Sequence, residues 1–164
     1  MTIKEVHLLQ RGLVDEWNTY IEEERKRNKG SSHLQIHEIE LSDLFLENAD
    51  LSNIIFQRVT INNCTFYDCN IDNSDFHHSR FHQWKYGVGT LIGSRFENCE
   101  FINSQIWGTY IEALLFIACD FTYSKLYGLH GSRIKMVSST MIDSDIDFIV
   151  QNELHDIYGK CKDH

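Results

Sequence analysis

The chain has 164 residues, enough for one domain with one hydrophobic core, and its 24 acidic against 15 basic residues give a net charge of −9. That charge opposes direct contact with nucleic acid or an anionic membrane and suits a cationic partner surface. The longest apolar runs, such as residues 113–119, are far too short to span a bilayer, and residues 1–5 do not lead into the apolar stretch of a secretory signal, so a cytoplasmic location is expected.

At the start of the chain Val6, Leu9, Leu13, Trp17 and Tyr20 recur at helical spacing and predict an amphipathic helix. The polar run Glu22 to Ser32 reads as a hinge, so residues 1–33 form a capping helix and hinge.

From Leu34 onward a different period takes over. Ile36, Leu41, Leu46, Leu51 and Phe56 open a series of apolar residues at every fifth position that continues without a register slip to Ile146, with Gly131 alone lacking an apolar side chain. A second series lies two residues earlier, from Leu34 and Ile39 through Cys64, Cys69, Ser74 and Cys99 to Ser144. Neither series contains a charged residue, although about a quarter of an average protein is charged. A step of five turns an α-helix by about 500°, so these residues would spiral around it instead of forming a stripe. On a flat strand an odd step sends successive residues to opposite faces. A short extended piece followed by a corner buries both series.

The corner positions hold residues suited to them, among them Asp43, Asn48, Asn53, Asn63, Gly93 and Gly108, which tolerate positive φ. Residues twenty apart form columns, such as Phe56, Phe76, Phe96 and Phe116, and Phe81, Phe101 and Phe121. Four five-residue sides per coil stack such columns at roughly 4.8 Å, and roughly six coils make a rod on the order of 28 Å long.

Ala49-Asp50-Leu51-Ser52-Asn53 matches the pattern A(D/N)LXX outright, and Cys69-Asn70-Ile71-Asp72-Asn73 and Cys119-Asp120-Phe121-Thr122-Tyr123 are close variants. On these motifs residues 34–148 resemble the pentapeptide-repeat family. The resemblance implies an all-β solenoid, a right-handed quadrilateral β-helix, preceded in many members by an N-terminal α-helical cap. A solenoid end exposes core and open strand edges, so caps are physically required. Ile149, Val150, Leu154, Ile157 and Tyr158 predict a short C-terminal helix in a cap and tail over 149–164. Trp84 is too large for the small inward slot, and an outward indole with a distorted strand over residues 84–89 is expected.

Little in the chain suggests chemistry. Cys64, Cys69, Cys99 and Cys119 occupy the small inward slot and read as core filler, and Cys99 and Cys119 stack one coil apart, within the separation a disulfide allows. Cys161 lies in the tail, and His77, His78 and His82 fall on diverging positions. With no nucleophile, phosphate-loop or metal-ligand motif, no enzyme activity, metal or cofactor is expected.

The later coils turn apolar residues outward: Tyr67, Ile92, Ile102, Trp107, Tyr110, Leu115, Ile117, Tyr127, Val137 and Ile142. They suggest an interface. The leading expectation is a non-catalytic module that binds a protein partner or a second copy of itself, as a regulator or as an immunity protein neutralising a toxin. The alternative follows from the resemblance: some pentapeptide-repeat proteins imitate duplex DNA and occupy DNA gyrase, a basic DNA-binding protein, giving fluoroquinolone resistance. The interruption of the acidic columns by Arg58 and His77 weighs against it.

Overall fold

The computed structural model describes residues 4–28, 34–146 and 153–155. Every fifth residue from Glu38 to Asp143 has a positive φ, between 49° and 66°. Asn, Asp and Gly hold most of these corners, because the left-handed region costs them least. Four corners close one coil, so each strand pairs in parallel with the strand twenty residues later, as in Leu34↔Ile54 and Phe56↔Phe76. The result is a four-sided solenoid of about 5 turns.

The first side is a 7-stranded sheet running from Leu34–His37 to Lys135–Val137 and Glu153–His155. The second contains Glu40–Ser42, Thr60–Asn62, Arg80–His82 and Glu100–Ile102, and is extended by bridges to Asp120 and Thr140. The third runs from Phe45–Glu47 to Asp145–Ile146, and the fourth holds Thr90–Ile92, Tyr110–Glu112 and His130–Ser132.

Both five-residue series point inward. Phe56, Phe76, Phe96 and Phe116 stack with ring centroids 4.4, 4.8 and 5.2 Å apart, and Phe81, Phe101 and Phe121 stack at 4.7 and 4.8 Å. The two columns meet edge to face, as in Phe96 against Phe101 at 5.3 Å. Each buried phenylalanine contributes about 1.5–3 kcal/mol of transfer free energy.

Why the second series prefers Cys and Ser to Ala is visible in the hydrogen bonds. The side chains of Cys64, Cys69, Ser74, Ser94, Cys99, Ser104 and Cys119 each donate to the backbone carbonyl 23 residues earlier, with Cys99 on Phe76 and Ser104 on Phe81. All four of the described cysteines are free, and burial pushes the Cys69 thiol up to about 11, which suppresses the reactive thiolate. Cys99→Ser keeps both shape and donor and should change stability by less than about 1 kcal/mol; Cys99→Ala loses both and should cost about 1–2 kcal/mol in a urea melt. Equal costs would show that the donor contributes nothing.

Trp84 departs from expectation. It is fully buried, pointing into the core, and the strand Lys85–Gly87 keeps its register with both neighbours. Room for it comes from the other slots of the same coil, where Ser74, Ser79 and Gly89 are small. The indole packs against Phe66, Phe81 and Tyr86. The Tyr86 hydroxyl crosses toward Gly89, where an added Cβ would lie 2.4 Å from it, and donates to the carbonyls of Cys69 and Thr90. Gly131 is the other exception: at φ +132° it brings the backbone so near Ile111 that a Cβ would lie 1.8 Å from that carbonyl oxygen.

At the N-terminus, α1 (His7–Gln10) and α2 (Val14–Arg27) join at Gly12, whose φ of 68° makes the turn. α2 continues through Glu22 to Arg27, so most of the run read as a hinge is helix, held by Lys26–Glu22 and Arg27–Glu23 pairs one turn apart. Leu9, Trp17 and Ile21 are fully buried. The cap also satisfies open backbone of the first coil: Gln10 donates to Glu40, Trp17 Nε1 to Asp50 at 2.8 Å, and Asn18 both donates to Asn48 and accepts from the Asp50 amide. Arg25 pairs with the Asp50 carboxylate and donates to the Ser52 carbonyl at 2.6 Å.

At the other end, Leu154 lies in the strand Glu153–His155, paired with Met136, and not in a helix. The first side thus gains one more strand at its C-terminal edge, where an open ladder favours strand addition. Ile149, Val150, Ile157, Tyr158 and Cys161 lie outside the described residues.

Candidate functional site

The ten outward residues singled out by sequence do not share one face. Leu115, Ile117 and Val137 lie on the first side, Ile102 and Ile142 on the second, Tyr67, Trp107 and Tyr127 on the third, and Ile92 and Tyr110 on the fourth. Four of them share one edge. Tyr67, Trp107 and Tyr127 border the edge between the third and fourth sides, and Tyr110 begins the fourth side across that edge.

Gly87 shapes this edge. It sits between Tyr67 and Trp107 in the column, and the Trp107 indole lies across it: a Cβ on Gly87 would be 2.2 Å from the ring. Glycine here lets a large ring lie along the surface between two tyrosines. At the edge itself stands Val88, which the sequence reading missed. It is 45% exposed at φ 62°. It is the β-branched residue among the corners, where such a side chain is a conformational outlier. The available signal was its column, Asn48, Asp68, Val88, Gly108, Gly128, in which every other residue suits a left-handed corner.

A gap beneath the cap, lined by Leu9, Leu41, Phe56, Phe66 and other apolar side chains, has a volume of about 10 Å³, about the space of one water. Among the described residues no three His, Cys, Asp or Glu side chains converge as metal ligands. His77 and His82 instead face Glu97 and Glu100 at 3.5 and 3.2 Å. Among the described residues no helix is long and apolar enough to cross a membrane.

Residues 39–116 match the pentapeptide-repeat family, through a profile described as a pentapeptide repeat region. QnrB1, a plasmid-mediated fluoroquinolone resistance protein, superposes in a trypsin-treated variant form with a TM-score of 0.56 at 8% identity, over 77% of this chain and 70% of that one. A pentapeptide repeat protein from the cyanobacterium Cyanothece 51142 aligns at a TM-score of 0.32 and 11% identity, over 87% of this chain and 93% of its own. At such identities the likeness is one of fold. No curated protein sequence matches the chain.

Several charges on the solenoid surface are paired across or within coils. Glu38 pairs with Arg58, Glu97 with Arg95 and His77, Glu100 with Arg80 and His82, and Glu112 with Arg133. At Glu38–Arg58 and Arg80–Glu100 the partners stand one coil apart in the same column, so a cation interrupts the carboxylates there.

Proposed function

We propose that this chain is a non-catalytic protein-binding module whose contact surface is the edge formed by Tyr67, Val88, Trp107, Tyr110 and Tyr127. The observation that carries this reading is Val88. An exposed valine in a left-handed corner adds nothing to the core and costs about 1–2 kcal/mol of backbone strain relative to an unstrained residue. The solenoid imposes the corner; what supports a used surface is that, among the described residues, this corner alone holds a β-branched apolar side chain, left exposed beside the aromatic residues. Its neighbours are aromatic, the residue class that dominates binding hot spots. A regulator and a toxin-neutralising immunity protein both fit a small module of this kind, and a second copy of the chain is a further candidate partner.

Two variants test the reading together. Val88→Asn should raise stability by about 1 kcal/mol and weaken partner binding, because it relieves the corner and removes part of the surface. Trp107→Ala should leave the circular dichroism spectrum unchanged and abolish capture of the partner in a pull-down. Retained capture by both variants removes the edge as the contact surface.

The second reading, a duplex-DNA mimic directed at DNA gyrase, draws on the net charge of −9 and on the fold shared with QnrB1. Ion pairs between coils count against it, since phosphate mimicry needs rows of unpaired carboxylates. A supercoiling assay decides it: no inhibition and no protection of gyrase at micromolar protein removes the reading.

A further inference from the structure

Resting on the protein-binding reading above, we infer that the occupant of this edge is an extended segment of a basic protein carrying two arginines three residues apart. The edge is not uniformly apolar along its length. At its N-terminal end stand Glu47 and Asp68, both exposed, and neither forms an ion pair among the described residues. Glu38, Asp50, Glu97, Glu100 and Glu112 have cationic partners, whereas Glu40, Asp43, Asp72, Asp75 and Asp120, like Glu47 and Asp68, have none among the described residues; what sets Glu47 and Asp68 apart is their place beside the aromatic edge. Glu47 precedes Tyr67 in one column, and Asp68 precedes Val88 in the corner column beside it. A ligand running along the edge therefore meets two uncompensated carboxylates and then a run of aromatic faces.

Arginine answers both parts. Its guanidinium forms forked hydrogen bonds with carboxylates and stacks on aromatic rings, whereas the lysine ammonium is a strongly hydrated point charge. Asp68 and Trp107 lie two coils apart, roughly 10 Å at the β spacing, which is about three residues of extended chain. The other outward column of the third side carries Lys85 and Lys125, both exposed, so a cationic segment is held to the edge and away from the middle of that side.

The probe is the blocked hexapeptide GRSSRG, compared with GKSSKG of equal charge, using the full chain and backbone-amide NMR shifts. Trp107 also reports by fluorescence, because Trp17 and Trp84 are fully buried. The arginine peptide should shift amides along the edge and bind more tightly than the lysine peptide, by up to about five-fold, the full worth of a cation over an exposed ring. Gly87→Ala keeps the tryptophan but displaces its indole, and should abolish that preference. Glu47→Gln with Asp68→Asn should weaken both peptides together and flatten their salt dependence. Equal affinity for the two peptides, a preference untouched by Gly87→Ala, or no shift along the edge overturns the inference. A partner whose capture depends on Trp107 but whose bound segment is acidic or lacks arginine also overturns it, while leaving the protein-binding reading in place.

Discussion

Phe96→Ala should cost about 3–5 kcal/mol and lower the melting temperature by roughly 10 °C. Phe96 is fully buried at the middle of the rod and touches four other rings, Phe76, Phe81, Phe101 and Phe116, at 4.8, 5.7, 5.3 and 5.2 Å. Stacked coils hold the neighbours at the β repeat, so the backbone cannot collapse into the void, and the full cavity penalty should be felt. Phe96→Leu, which places at this site the residue found at Leu91 and Leu126, should cost about 1 kcal/mol. Chemical denaturation of both variants checks the pair. A loss below about 1 kcal/mol for the alanine variant would mean that the coils relax around the gap, contrary to a close-packed aromatic column.

The cap should respond locally and to acid. Trp17→Ala removes a fully buried indole and its 2.8 Å bond to the Asp50 carbonyl, and about 3–5 kcal/mol is expected. The loss should appear first as fast hydrogen exchange over residues 40–52, because each coil of a solenoid touches only its neighbours. Asp50 adds a pH dependence. Burial alone would raise its carboxyl, but the Arg25 pair and the Ser52 hydrogen bonds outweigh it and hold the group below its ordinary 3.8. A carboxyl depressed in the folded state stabilises fully above its unfolded value and ceases to do so as pH falls through the folded one. Cap docking should therefore be constant at neutral pH and weaken below about 3.8, and Asp50→Asn should lack that acid step. Uniform exchange across all coils in Trp17→Ala would show that cap and solenoid melt as one unit.

The five-residue register was fully legible, because both requirements of the fold are written at fixed positions: apolar side chains at Ile36 and its successors, and Asn, Asp or Gly where φ turns positive. Trp84 was misread for a definite reason. The slot was judged by its column, whereas volume is balanced within a coil, where Ser74, Ser79 and Gly89 make room for the indole. The supposed hinge failed because its charges pair at helical spacing, a pattern that supports α2 as readily as it suggests solvent. For the candidate site, sequence showed which residues face outward and which share a column. It pooled the apolar ones from four sides, and missed Val88 because a corner was read only for residues that fit it.

Pairing between coils also sets rules for how such a gene can change length. Twenty residues added between corners would lengthen the rod by roughly 4.8 Å and return every later side chain to the same side. Five residues added at the same place would preserve each inward slot and every corner, yet turn everything beyond them by a quarter revolution. Tyr67 would then face one direction while Trp107 and Tyr127 faced another. The insertion would also take the phenylalanines out of the columns in which they stack twenty residues apart. Core packing and the edge therefore both favour changes in multiples of twenty, and a five-residue insertion would disturb the two together.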